Sequence, residues 1–448
     1  MKIKLIEPTR YLEDGRLLKR KKLFVPSLTL PYLAALTPPA GEVTIVNELI
    51  QDIDFSEPVD LVGITAYTNN VLRAYEIADE YRKRKVPVVM GGIHVSAVPL
   101  EAKEHADTII IGEAEKTWPR FIADFINGQP RTLYETKAPP SLNKLPLPRF
   151  SLLSKHHYFG YERRGLSRYL IRPIIPVQTA RGCPFSCDFC SVTRFFGGDY
   201  RMRPIPEVIA EIKKLAAKNC FFVDDNIFAV PQRARKLFTA LTPLKIKWVG
   251  QATIAAAADP GLLQLARRSG CVELSIGLES LSGDCLQSVG KTINRSERYE
   301  SQLRVYRESG IIPTVSMMFG FDADGPEVFQ ETATFLIRNR VAYIYWWPLT
   351  PLPGTPFYQK LLQQGRLRDP SWWLNRDMLQ FSLKFSPAKM DDRQFAENFQ
   401  CQLHRFFSLP NTVKRLFFPP QKKCLQAFFL NLAYGWRRSK SRKVIQSY

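Results

Sequence analysis

The chain has 448 residues and carries 63 Lys and Arg against 42 Asp and Glu, a formal net charge of +21. With 45% hydrophobic and 12% aromatic residues it has a globular composition, and its length suits two or three domains better than one core. Eight cysteines in such a length do not make a disulfide scaffold. No apolar run reaches the roughly 18 residues that span a bilayer. Glu7 and Pro8 break the first apolar run before it could form a secretory core, so a cytoplasmic protein is expected.

From the start, short apolar runs alternate with helical patterns. Residues 3–6, 43–46 and 61–65 read as strands, and 71–84 as a helix. A strand over 86–90 runs into Gly91-Gly92, and one over 108–111 into Gly112-Glu113. Apolar strands bounded by glycine and separated by helices predict an α/β fold with a doubly wound parallel sheet, a Rossmann-like layout that binds ligands at the carboxyl ends of its strands.

The strings Asp60-Leu-Val-Gly-Ile-Thr65, Val88-Val-Met-Gly-Gly-Ile-His94 and Ala106-Asp-Thr-Ile-Ile-Ile-Gly-Glu-Ala-Glu115 resemble the cobalamin-binding domain that precedes many radical SAM enzymes. The resemblance covers about residues 1–130. It implies cobalamin contacts at Thr65, Gly91, Gly92, His94, Gly112 and Glu113. Domains of this kind that ligate cobalt through histidine carry Asp-x-His-x-x-Gly after the first strand, whereas Pro8-Thr-Arg-Tyr-Leu-Glu-Asp-Gly15 has no histidine. The radical SAM relatives commonly lack that ligand too. Cobalamin held without a protein imidazole and no cobalamin at all therefore both stand at this point. For His94 a strand-end histidine hydrogen-bonded to backbone stands beside the cofactor contact. The prolines at 139, 140, 146, 148 and 173 predict an extended linker over 136–173, after a first domain of residues 1–135.

The most specific motif is Arg181-Gly-Cys183-Pro-Phe-Ser-Cys187-Asp-Phe-Cys190. A structural zinc site wants four ligands, and no fourth Cys or His lies nearby in sequence. Pro184, Ser186 and Asp188 read as loop, which opposes three thiols buried as small hydrophobes. Three thiolates suit a cubane [4Fe–4S] cluster that leaves one iron open to another ligand. The triplet looks like the radical SAM superfamily motif. That resemblance implies that the open iron chelates S-adenosylmethionine, that Phe189 lies next to its adenine, and that Cys183, Cys187 and Cys190 are both the metal ligands and the catalytic set.

Downstream, strands are predicted over 174–180, 220–225, 247–254, 272–280, 313–321 and 341–349. Helices are predicted over 206–218, 233–241, 261–269, 297–308, 327–340 and after Thr355. Six such repeats over 174–365 read as a partial (β/α)6 barrel, whose site lies at the carboxyl ends of its strands. Polar residues gather there. By the resemblance, Asp224, Asp225 and Asn226 lie where the family contacts the SAM amino group. Gln251 ends the third strand, Glu279 and Ser280 are a ribose or substrate contact, and Pro351 to Gly354 turn near the adenine. For Asn226 and Ser280 a cap or solvated turn stands as an equal alternative.

The segment 366–448 is expected to be a basic helical extension. Residues 401–448 hold ten Lys and Arg and no acid, and Leu425, Phe428, Phe429, Leu432 and Trp436 share one helical face. That face either packs on the barrel or meets an anionic membrane surface, which would place the enzyme at the inner face of a membrane. The domain order resembles the class B radical SAM methyltransferases, as a cousin of the hopanoid methylases. It implies three cofactors: a [4Fe–4S] cluster, S-adenosylmethionine and cobalamin. It also implies an electron donor such as a flavodoxin or ferredoxin, and methylation of an unactivated carbon on an apolar substrate, with an isoprenoid lipid as the narrower reading. Radical oxidation, cyclisation or rearrangement on the same scaffold is the alternative. An RNA-modifying enzyme would suit the charge, but the basic aromatic segment reads as an amphipathic helix, not a stacking platform.

Overall fold

The computed structural model describes residues 1–12, 14–39, 41–158, 173–379, 382–417 and 431. They divide into two compact units, residues 1–225 with 351–380 and residues 226–350 with 381–448.

The first unit opens with six strands: β1 (Lys2–Glu7), β2 (Glu42–Asn47), β3 (Leu61–Thr65), β4 (Val88–Gly91), β5 (Thr108–Ile111) and β6 (Leu133–Glu135). They pair in parallel in the order β2-β1-β3-β4-β5-β6. Strand alternation divides the apolar side chains between two faces. Ile6, Val62, Ile64, Val88 and Met90 pack with Val71, Ala74, Ile77 and Ala78 of the helix Val71–Lys83 on one face. Ile3, Leu5, Leu61, Val89 and Ile110 pack with Leu30, Ala34, Trp118 and Phe121 on the other. The sheet is thus covered on both sides, as an all-parallel sheet must be. Its order reverses at β1 and β3, so a crevice opens beyond their carboxyl ends.

Residues 136–158 hold neither sheet nor α-helix, as their prolines dictate, yet they are tied down. The Arg149 N–H donates to Pro31 O at 2.9 Å, and the Lys144 N–H to the Glu207 carboxylate at 2.8 Å. The rest of the expected linker, 159–172, lies outside the described residues.

The same unit contains β7 (Ile174–Val177) and β10 (Asn219–Phe222), which pair in parallel. It also contains the short antiparallel pair β8 (Ala180–Arg181) and β9 (Arg201–Met202). The second unit holds β11 (Lys247–Ala252), β12 (Cys271–Glu279), β13 (Ile312–Phe319) and β14 (Tyr343–Pro348), all parallel. In chain order β7, β10, β11, β12, β13 and β14 are each followed by helix, which gives the six repeats of the partial (β/α)6 barrel.

Within the second unit, helices Val328–Arg338 and Asp392–Phe407 cover one face of the strands, where Phe319 stacks on Phe329 with centroids 4.7 Å apart. A capping box of Asp391 and Gln394 starts the second of these helices. Arg415, on the helix Leu409–Phe417, is fully buried. It donates to Val341 O at 2.6 Å and Phe406 O at 2.9 Å, which pins the extension to the chain entering β14. Of the expected amphipathic face, Leu425, Phe428, Phe429, Leu432 and Trp436 lie outside the described residues.

Candidate functional site

A cavity of about 710 Å³ opens at the carboxyl ends of β1, β3, β4 and β5 in the first unit. Its size is that of a cofactor or ligand site. Thr65, Gly91, Gly92, Gly112 and Glu113 all line it, together with an apolar run from Leu23 to Leu33 and Phe195, Phe196 and Phe221. Gly92 is needed here: its φ is +107°, and a Cβ would stand 2.7 Å from Ala66 O. Only glycine enters that backbone region at low cost.

His94 is placed differently from the expectation of a cofactor contact. It is fully buried and is not among the residues lining the cavity. One ring nitrogen lies 3.1 Å from Thr68 Oγ1, the other 3.2 Å from Glu101 Oε1, and the ring meets Trp373 edge-on. Both partners of the ring are side chains, so the alternative of a histidine hydrogen-bonded to backbone is not what the fold adopts.

The three cysteines follow β8 in one irregular loop. Cys187 is buried and Cys183 and Cys190 are half-buried. The Cys190 N–H donates to Cys187 O at 3.1 Å, a turn that closes the chain between the second and third cysteines, and Cys190 then caps the helix Ser191–Phe196. Among the described residues no three His, Cys, Asp or Glu converge closely enough to share one ion. A cubane does not ask for that, because each thiolate takes a different iron. A loop that brings three thiols within one short stretch of chain fits such a cluster by its donor chemistry.

The acids after β10 frame that loop. Asp224 is buried and accepts from the Thr179 N–H at 2.6 Å and from the Thr179 hydroxyl, which fixes the chain between β7 and the cysteines. Asp225 accepts from the Gly182 N–H at 3.2 Å and lines the cavity. Burial, and then the neighbouring Asp224 carboxylate, push its carboxyl up to about 7. The turn from Pro351 to Gly354 also belongs to the first unit. The Phe357 N–H that follows it donates to Asp188 O, between the second and third cysteines, at 3.1 Å. Pro351 O accepts from Trp372 Nε1 at 3.0 Å. Phe189 is half-buried in the loop.

In the second unit Asn226 and Ser280 form turns. Asn226 Oδ1 accepts from the Phe228 N–H at 3.2 Å, and Ser280 Oγ from the Ser282 N–H at 3.0 Å. The turn alternative is the geometry each adopts. Gln251 sits half-buried on β11, and its carbonyl accepts from the Ile227 N–H at 3.0 Å.

Glu279 is the unusual residue. It ends β12 at φ +67°, after a register shift between Gly277 and Glu279. Lys291 Nζ reaches its Oε1 at 3.0 Å, while Oε2 is buried without a hydrogen-bond partner. A non-glycine residue held there is strained and needs support. Asn294 supplies it by donating to Gly277 O at 2.9 Å and Leu278 O at 3.0 Å, and Tyr299 donates to Leu278 O at 2.9 Å. Lys291, Asn294 and Tyr299 were not legible in the sequence, because their partners are strand carbonyls and one carboxylate brought near only by the fold.

The comparisons with known proteins agree with this layout. Residues 177–336 match the Radical SAM superfamily model, and residues 25–122 match the B12 binding domain model. The bacteriochlorophyllide d C-12(1)-methyltransferase of Chlorobaculum tepidum is 31% identical over 382 residues, 83% of this chain and 80% of that protein. The hopanoid C-2 methylase of Rhodopseudomonas palustris is 24% identical over 363 residues, 77% of this chain and 66% of that protein. The fold resembles that of TsrM, a radical S-adenosylmethionine methyltransferase from Kitasatospora setae solved with cobalamin and a [4Fe–4S] cluster bound. The TM-score is 0.65 at 17% identity, over 90% of this chain and 88% of that one.

The fold and the cysteine loop therefore define a radical SAM enzyme that carries a B12 binding domain. The chain belongs to the cobalamin-dependent radical SAM methyltransferases, whose cofactors are a [4Fe–4S] cluster, S-adenosylmethionine and cobalamin.

Proposed function

We propose that this enzyme methylates an unactivated carbon on a large, flat, apolar ring system. The observation that carries the substrate class is an aromatic ladder on β14. Strand alternation puts Tyr343, Tyr345 and Trp347 on one face, while Ile344, Trp346 and Pro348 are buried on the other, with Trp346 against Phe319 and Phe399. Tyr345 and Trp347 are 41% and 43% exposed, and their rings lie 9° from parallel with centroids 6.4 Å apart. Such a strip suits a conjugated ring through offset stacking. Ser316 lies in register beside Tyr345 and supplies a polar group to orient the ring's substituents. The chlorin acted on by the Chlorobaculum relative has this shape. An isoprenoid lipid, the narrower reading of the sequence, shares the apolar demand but gains nothing from stacking.

When bound, the cluster with S-adenosylmethionine supplies a hydrogen-abstracting radical, and the corrinoid a methyl group. The roles left to this chain are holding and shielding. Cys183, Cys187 and Cys190 hold the cluster. Phe189 and the turn from Pro351 to Gly354 flank the adenine, and Asp225 stands at the amino group, with Asp224 fixing the loop behind it. The open oxygen of Glu279 accepts from a ribose hydroxyl. Thr65, Gly91, Gly92 and Gly112 admit the corrinoid to the cavity, and Phe195, Phe196 and Phe221 keep water from it. A flavodoxin or ferredoxin supplies the electron. The basic tail docks the enzyme on an anionic membrane, a role that equal liposome sedimentation with and without residues 411–448 would exclude.

The test is anaerobic turnover of the reconstituted enzyme with trideuteriomethyl-labelled S-adenosylmethionine and a chlorin such as bacteriochlorophyllide d. The expected product carries one trideuteriomethyl group in place of a ring-substituent hydrogen. Transfer to a hopanoid with none to the chlorin would overturn the substrate class.

A further inference from the structure

The strand pair β8 and β9 closes the base of the cysteine loop. Arg181 stands directly opposite Arg201 on that ladder, and the residues between them include all three thiols and the helix Ser191–Phe196. The closure is tight. Gly182 has φ +87°, and a Cβ there would stand 2.3 Å from Asp199 O.

Both arginines are gripped by one carboxylate from the first sheet. Glu113, just beyond β5, accepts Arg181 Nη1 on Oε2 at 2.5 Å and Arg201 Nη2 on Oε1 at 2.5 Å. Glu115 takes Arg181 Nη1 as well, at 2.5 Å. Each guanidinium has a further acceptor: Arg181 Nε donates to Gln178 Oε1 at 2.7 Å, and Arg201 Nη1 to Pro140 O at 2.9 Å. Glu113, Glu115 and Arg181 also line the cavity.

Buried ion pairs are a poor way to gain stability, since desolvation offsets most of the attraction. What they give is direction. A carboxylate that divides its two oxygens between two rigid guanidinium forks fixes both arms of the hairpin in register, which an apolar contact could not do. The arrangement therefore reads as a device for position.

We propose that Glu113 is a positioning residue that sets the cluster loop from the cofactor sheet, so that filling the cavity orders the loop carrying the thiols. This rests on the reading above that the triplet holds the cluster and the cavity holds the corrinoid. A ligand in the cavity touches the Glu113–Arg181 pair directly, and the pair sits one residue from Gly182 and two from Cys183. With the carboxylate neutralised, Arg201 loses its partner in the pair and the two arms can move independently.

The test uses the full chain. Amide hydrogen exchange of peptides within 182–200 is followed with and without hydroxocobalamin. The electron paramagnetic resonance signal of the reduced, reconstituted cluster is recorded under the same two conditions. In the native protein, cobalamin is expected to slow exchange in the loop roughly tenfold or more and to sharpen the cluster signal. In Glu113→Gln the loop should exchange fast with or without cobalamin, and the signal should be broad in both, at equal iron content. Arg201→Lys, at the less buried arm, keeps the charge but not the fork and should show the same loss if Glu113→Gln does not fold. A native response to cobalamin in both Glu113→Gln and Arg201→Lys would overturn the proposal. A native protein that takes up no cluster or no cobalamin would instead overturn the underlying site reading.

Discussion

Replacing Gly92 by alanine probes the cofactor cavity through a single carbon. The residue's backbone, at φ 107° and ψ −178°, lies in a region that is essentially glycine-only, and holding a side chain there costs about 1–3 kcal/mol. The new Cβ would also lie 2.7 Å from Ala66 O and 3.0 Å from both Ala66 N and Thr65 Oγ1. Two of these are backbone atoms tied into the sheet, with Ala66 N bonded to Gly91 O and the His94 N–H to Ala66 O. They cannot turn aside as a flexible side chain would, so the strand end must shift, and a total near 3 kcal/mol follows. For a unit of this size each 1 kcal/mol lowers the unfolding midpoint by about 2–4 °C, which predicts a loss of about 6–12 °C in the first unit. Because Thr65, Gly91 and Gly92 line the cavity, cobalamin affinity should fall by about tenfold or more in an anaerobic absorbance titration. A Gly92→Ala protein with native midpoint and native affinity would refute both the strain argument and the placement of the corrinoid.

Three further outcomes follow from particular side chains. Glu279→Gln keeps the volume but removes a charged acceptor, so the dissociation constant for S-adenosylmethionine on the cluster-loaded enzyme should rise about ten- to a hundredfold, from a hydrogen bond of about 1.5–3 kcal/mol; calorimetric titration reads this, and an unchanged constant removes Glu279 from the site. Asp324 is buried and accepts from the Gly320 and Phe321 N–H groups and from Cys285 Sγ–H, and burial raises its carboxyl to about 6. Between about pH 4 and 6 the folded chain keeps a proton that the unfolded chain has released, so this contribution is full below about pH 4 and about 3 kcal/mol of it is lost as pH rises through 6. Denaturant midpoints at pH 4.5 and 7.5 should differ less in Asp324→Asn than in the native chain, and parallel profiles would contradict the assignment. Tyr345→Ala with Trp347→Ala should raise KM for the ring substrate with little change in uncoupled S-adenosylmethionine cleavage, and a native KM in a turnover assay would remove the ladder from substrate binding.

Where local pattern and tertiary demand coincide, the sequence was legible. The run Leu61–Thr65 is buried at every position and apolar up to its last residue because β3 is covered on both faces, and it reads as a strand with its true ends. The cysteine triplet, the glycines after β4 and β5 and the six strand–helix repeats were readable for the same reason: each is set by neighbours in sequence. The helices Thr29–Leu36 and Ala114–Ile126 were missed, the second because Pro119 sits inside it. Its apolar face, with Trp118, Phe121 and Ile122 buried, outweighs the lost backbone bond. The Glu113–Arg181–Arg201 clamp was half legible. Glu113 was singled out as a strand-end acid, but its partners lie 68 and 88 residues away, and no local spacing announces them. His94 was misplaced for a related reason: Glu101 and Trp373, which occupy it, meet only in the folded chain.

The central claim is that the three cysteines of one loop carry a cluster that cleaves S-adenosylmethionine. The most direct measurement is the yield of 5′-deoxyadenosine from anaerobically reconstituted protein given S-adenosylmethionine and dithionite, beside Cys187→Ala treated in the same way. The native chain is expected to yield 5′-deoxyadenosine and Cys187→Ala none. A fully cluster-loaded native protein that yields none, or a Cys187→Ala protein that yields as much, would contradict it.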